Sequence, residues 1–187
     1  MKRSLSVLIG VLALAGCDAY NRNEAVNSSY YRPGVEQTFT YGARDGTFPA
    51  VIVGNPFGGD KAQLDRAVAD AMTSVHRGPP TRFVPTPAGG AVPNIRIVML
   101  FDPPASPVGG AACRNPGALP LARIGERMRV LAALCSGDDV MSDVVATAPV
   151  ATSATDPRLK QTVAALMRDI IPYQSPDLGG NCANNNC

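Results

Sequence analysis

Two stretches of the chain repeat apolar residues at helical spacing, and several shorter ones alternate or run as strands do. Leu64, Val68, Ala71, Met72 and Val75 fall on one stripe of a helix. Asp60 is placed to cap it, Gln63 stands three residues on as in a capping box, and Gly78-Pro79-Pro80 stops it. Leu159, Val163, Leu166 and Ile170 form a second stripe, with Asp156 as cap and Pro157 in the first turn, where its missing N–H costs nothing. Pro172 ends that helix. The run from Ile95 to Phe101 is β-branched and nearly all apolar, which predicts a strand in the middle of a sheet. Met128 to Leu134 predicts another, turning at Ser136-Gly137-Asp138-Asp139 so that Val144 to Thr147 pairs back against it. Thr38-Phe39-Thr40-Tyr41 alternates polar and aromatic residues, and Phe48 to Val53 follows the turn signal Asp45-Gly46. Together they predict a hairpin. Residues 102–120, dense in Pro and Gly, read as a long loop, and the Pro/Gly-rich segment after Gly78 as a connection.

Taken in order, these elements predict an α+β domain. A mostly antiparallel, four- or five-stranded sheet would carry two amphipathic helices packed on one face, burying both stripes. A parallel α/β sheet is the weaker option, because too few strands alternate with helices. No internal repeat is present.

The start of the chain follows a different pattern. Met1-Lys2-Arg3 is positive, Leu5 to Leu14 is almost wholly apolar, and the small residues Ala15 and Gly16 precede Cys17. A charged start, a short apolar stretch and small residues at a cut describe a secretory signal, over residues 1–16. The stretch is shorter than the roughly 20 apolar residues of a bilayer span. Leu14-Ala15-Gly16-Cys17 resembles the lipobox of bacterial lipoproteins, with Leu14, Ala15 and Gly16 as the signal-peptidase recognition residues. The resemblance implies cleavage before Cys17, a diacylglyceryl thioether on its sulfur and, in many bacteria, a third acyl chain on its new amino group. Two or more chains give stable anchoring. Asp18 resembles the residue that retains lipoproteins in the inner membrane of enteric bacteria, so the expected location is the cell envelope, facing the periplasm, with a lean to the inner membrane. Residues 17–34, rich in Asn and Ser, read as a lipidated tether; 35–174 as one domain; and 175–187 as an irregular tail.

Composition narrows the partners. The formal charge of +2 equals the contribution of Lys2 and Arg3, so the rest of the chain is balanced. A balanced chain without a Lys/Arg run offers no footprint for nucleic acid and no basic strip for anionic lipid. Five cysteines become four once Cys17 is assigned to lipid: Cys113, Cys135, Cys182 and Cys187. Four cysteines in an oxidising compartment read as two disulfides. We expect Cys113–Cys135 and Cys182–Cys187, since the second pair would close a short Asn-rich loop. No Cys-x-x-Cys is present, and His76 is the only histidine, which argues against redox and zinc sites.

The remaining chemistry is thin. Gly54-Asn55-Pro56-Phe57-Gly58-Gly59-Asp60-Lys61 leads from a strand into a helix as a phosphate loop does. Asp60 intrudes before Lys61, however, and Ala62 replaces the hydroxyl residue, so no nucleotide is expected. His76 near the end of the first helix suits the helix dipole without catalysis. Asp138, Asp139 and Asp143 gather near a turn but lack the spacing of a calcium loop. Glu24, Glu36 and Glu126 form no carboxylate pair for glycoside cleavage, and no Gly-x-Ser-x-Gly is present. Tyr20, Tyr30, Tyr31 and Tyr41 lie in or beside the tether, where they would serve either a docking partner or the domain's own surface and the membrane interface. The reading that follows is a non-catalytic, membrane-anchored lipoprotein that binds an envelope partner or supports an assembly, with no catalytic residue, cofactor or metal. Two others stand beside it: an auxiliary lipoprotein of a lipid or polysaccharide export system, by fold-level analogy, and an enzyme of unrecognised type.

Overall fold

The most apolar run in the sequence lies inside the sheet. In the computed structural model, which describes residues 25–171 apart from 88–92, 107 and 124, Ile95–Phe101 forms β4, with all but its first residue buried. It runs antiparallel to β5 (Arg127–Ser136) and parallel to β2 (Thr47–Val53). β5 turns through Gly137 and Asp138 into β6 (Asp139–Pro149), and β1 (Ala25–Tyr31) pairs antiparallel with β6. On the other side, β3 (Arg82–Thr86) lies parallel to β2. The sheet therefore has six strands in the order β1-β6-β5-β4-β2-β3.

Helices cover it on both faces. α1 (Val35–Gly42), α2 (Lys61–Thr73) and α4 (Pro157–Asp169) bury Phe39, Leu64, Val68, Met72, Leu159, Val163 and Leu166 against Phe48, Ile52, Ile97, Met99, Val130 and Val144. Asp60 caps α2 by accepting from the Ala62 amide, and Asp156 caps α4 by accepting from that of Arg158. The other face carries α3 (Gly109–Arg114), a 3-10 turn at Pro116–Ala118, and the side chains of Leu119 and Leu121.

The α+β expectation of a mostly antiparallel, four- or five-stranded sheet with two helices on one face is thus corrected to a six-stranded mixed sheet with four helices divided between its faces. Each difference has a local cause. Val35 and Phe39, four residues apart, are both buried, so the segment read as a strand at 38–41 is α1 and no hairpin forms there. β2, α2 and β3 make a parallel β-α-β unit instead. β3 contains Pro85, which a sheet tolerates on an edge strand, and the sequence there reads as a connection. Residues 25–31, expected in the tether, form β1, a polar edge strand with a register shift between Val26 and Ser28. The expected loop at 102–120 holds α3 and the 3-10 turn.

Candidate functional site

The two ends of the sheet differ in what they expose. At the end where β2 and β4 begin, α1 closes with Tyr41 and Gly42 and turns into β2. Phe39 stacks on Phe48 with ring centroids 4.7 Å apart, which fixes the inward side of α1. Tyr41 lies two residues on, about 200° around the helix, and is 61% exposed. Gly42 is where α1 meets the sheet: a Cβ there would stand 2.7 Å from both Ile95 Cγ2 and Phe48 Cε2. Only glycine permits that approach, and it sets Tyr41 beside the start of β4.

The turn then folds back on the tyrosine. Arg44 Nη1 donates to the Tyr41 carbonyl at 3.0 Å, and its guanidinium carbon lies 4.3 Å from the Tyr41 ring centroid. Asp45 Oδ2 is 3.7 Å from Arg44 Nε, with both side chains more than half exposed. Gly46, at φ 69°, releases the chain into β2. Across from this trio stands Asn94, whose carbonyl accepts from the Gly137 amide at 2.7 Å. With Thr47 and Ile95 these residues line an open trough of about 370 Å³. A surface ion pair and an exposed cation–π contact contribute little to stability. An exposed tyrosine beside an arginine is a pair of the residue types that recognition surfaces favour.

The other residues singled out in the sequence are committed to the fold. Lys61 bonds the Ile52 carbonyl at 2.8 Å and the Asp65 carboxylate, so it points back at the strand rather than out to a phosphate. Asn55 closes its loop on itself, accepting from the Phe57 amide and donating to the Gly59 carbonyl at 2.6 Å. His76 sits against Phe39 and Phe83, with Nδ1 3.2 Å from the Thr73 carbonyl and Nε2 3.0 Å from that of Pro79. Each ring nitrogen faces a backbone carbonyl and the one that carries the proton donates, which makes His76 a clasp between α2 and the turn after it. The three aspartates separate. Asp139 pairs with Arg32 at 3.1 Å, Asp138 is exposed in the turn, and Asp143 lies half-buried on β6 beside Gly109. Burial pushes the Asp143 carboxyl above its usual range. Glu36 lies in the first turn of α1 and Glu126 is exposed before β5. Tyr31 donates to the Asp169 carbonyl at 2.7 Å, tying β1 to α4, and Tyr30 accepts from Arg32 Nε. Among the described residues no group of His, Cys, Asp and Glu is placed to hold a metal.

Cys113 and Cys135 form a disulfide, joining α3 to β5. Arg96, the cross-strand partner of Cys135, donates to the Cys113 carbonyl and, at 2.9 Å, to that of Pro93. Burial holds its guanidinium below the usual arginine range. The second expected pair, Cys182–Cys187, and Leu14, Ala15, Gly16 and Cys17 lie outside the described residues, as do Tyr20 and Glu24. Sequence reasoning did not single out Arg44, Arg96 or Asp102, and it read Asp45 only as part of a turn. Asp102 takes φ 50°, and its carboxylate accepts from Arg123 Nε and the Arg129 amide, both at 3.2 Å, locking the segment before β5 onto the end of β4. The one sequence signal for the trough was the Val35–Phe39 spacing, which puts Tyr41 on the outside of a helix.

Comparison of the chain with protein-family models, curated proteins and solved structures finds no match. Among the described residues no helix is long and apolar enough to cross a membrane.

Proposed function

We propose that this protein is a membrane-anchored envelope lipoprotein whose domain is a non-catalytic binding or assembly module, and that the trough at Tyr41, Arg44 and Asp45 is the surface offered to an envelope protein partner. The observation that carries the reading is the leader, a basic start and an apolar stretch ending in Leu14-Ala15-Gly16-Cys17. Support for the module comes from the commitment of Lys61, His76 and Asp102 to structural bonds, which leaves Tyr41 and Arg44 as exposed groups of the recognition type.

The test is cross-linking in intact cells, with a photoreactive group at Tyr41 and a Cys17→Ser protein as control. We expect one dominant protein partner, captured only by the lipidated chain and lost in Arg44→Glu. Intact-mass analysis should show Cys17 as the modified amino terminus. Capture of lipid or glycan in place of protein would move the reading to an export auxiliary. Turnover of an envelope substrate that a single side-chain change abolishes would overturn it.

A further inference from the structure

If Cys17 carries lipid, its distance along the chain from β1 decides how the domain stands on the membrane. This inference rests on that reading. Ala25, the first residue of β1, pairs with Thr147 near the last residue of β6. Because β1 is antiparallel to β6, β6 to β5 and β5 to β4, that end of the sheet is also where β2 and β4 finish. The loops gathered there are 54–60 after β2, the segment after Asp102, the approach to β5 through Arg123 and Glu126, and the turn before α4. Arg123 Nη2 reaches the Pro56 carbonyl, and a crevice of about 150 Å³ lies between Phe57 and Thr152–Ala154. The trough of Tyr41 and Arg44 is at the opposite end.

The chain from Cys17 to Ala25 covers eight peptide steps, which reach at most about 28 Å when fully extended. The trough lies near the limit of that reach. From the level of Thr147, opposite Arg129, to that of Ser136, opposite Ile95, is seven residues along β5, or about 23 Å. From β1 to β2 is four strand spacings, or about 19 Å. The direct line combining the two is about 30 Å to the β2 side of the trough. Turning the trough to the membrane would therefore need the chain from Cys17 drawn out almost fully, whereas the end that holds Ala25 needs little of it.

We propose that the domain turns the end bearing Phe57, Gly58 and Gly59 to the membrane surface, and holds the Tyr41–Arg44 trough outward. The membrane-facing loops mix Arg123 and Arg127 with Asp60 and Glu126, so the orientation is set by the anchor and Phe57 rather than by headgroup charge.

The sequence contains no tryptophan, which makes a single introduced one a clean reporter. The full lipidated chain is placed on phosphatidylcholine vesicles with brominated acyl chains, which quench indole fluorescence at close range. Phe57→Trp should lose most of its emission, while Tyr41→Trp should keep it, and adding anionic lipid should change neither. Since Phe57 also packs partly on the core, Glu126→Trp at the same end and Asp138→Trp at the other repeat the comparison at exposed sites. Equal quenching at both ends, stronger quenching at Tyr41 or Asp138, or none at either end overturns the orientation. Failure of Cys17 itself is distinguishable: that protein shows no acyl mass and stays off the vesicles.

Discussion

The two faces of the sheet are held by different means. On one, three helices spread burial over many side chains, from Phe39, Leu64 and Met72 to Leu159 and Leu166, against Phe48, Ile97, Met99 and Val130. On the other, Val98, Leu100, Leu131, Ala133 and Val145 are covered by the six residues of α3 and by Leu119 and Leu121. A helix of that length, starting Gly109-Gly110, has little tendency to form alone. It is fixed by two local devices, the Cys113–Cys135 disulfide and the Arg96 guanidinium on the Cys113 carbonyl. Where apolar area is plentiful, packing does most of the positioning; where it is short, a covalent bond and a buried cation take a larger share. Gly109 shows how tight the second arrangement is, because a Cβ there would lie 1.9 Å from Asp143 Oδ2.

The largest effect should come from breaking the helix-covered face. Phe48 is fully buried and stacked on Phe39, so Phe48→Ala should cost about 3–5 kcal/mol in denaturant unfolding. A cost under about 1 kcal/mol would mean that this face does not carry the fold. Next is the other face. Replacing Cys113 and Cys135 together by Ser releases a loop of 22-residue separation, with an expected loss of about 3 kcal/mol by loop-closure entropy. Hydrogen exchange sharpens the comparison: amides of α3 should lose protection well before those of α2 and α4. Equal loss in all three would show one cooperative unit in which the faces are not separate.

The same contrast explains how much of the fold the sequence discloses. α2 and α4 carry long apolar stripes with Asp60 and Asp156 as caps, so their period and ends are written in the chain. β4 and β5 are apolar runs of the kind that only an interior strand has. α1 is eight residues long, and within it Phe39 and Tyr41 satisfy a strand period while Val35 and Phe39 satisfy a helical one; the distant contact with Phe48 decides between them. β1 and β3 take their structure from the strands they border, and their own residues, Asn27-Ser28-Ser29 and Pro85, argue against strands. α3 is invisible because glycine begins it, although Cys113 signalled that something there was stapled. The trough was illegible for the same reason as α1: its residues are adjacent in space only once that helix is placed.

A smaller effect tests the helix-covered face at its edge. Asp156 accepts from the amides of Arg158 and Thr152, and these bonds hold its carboxyl below the ordinary value of 3.8. The folded state thus binds its proton less readily than the unfolded one. The stability it contributes is present above 3.8 and is lost as pH falls through the lower, folded value. Asp156→Ala should cost about 1 kcal/mol at neutral pH and clearly less once both states are protonated, when the carboxyl still accepts but carries no charge. A cost that persists unchanged into strong acid would assign the loss to packing rather than to the cap.

Asp143, under α3 on the opposite face, should behave in the reverse sense, and its effect should be the smallest. Burial raises its carboxyl above 3.8 in the fold, so the folded state holds the proton more tightly than the unfolded chain does. Stability then declines as pH rises from 3.8 through the folded value, and the penalty persists at neutral pH. Asn has the same shape and no charge, so Asp143→Asn leaves the contact with Gly109 while removing the cause. We expect a gain of a few tenths of a kcal/mol at neutral pH, kept small because the residue is only half-buried, and no difference in strong acid. If Asp143→Asn instead destabilises the neutral protein, the carboxylate is bonded by the start of α3. It would then join the disulfide and Arg96 as a third pin on the face that lacks apolar area.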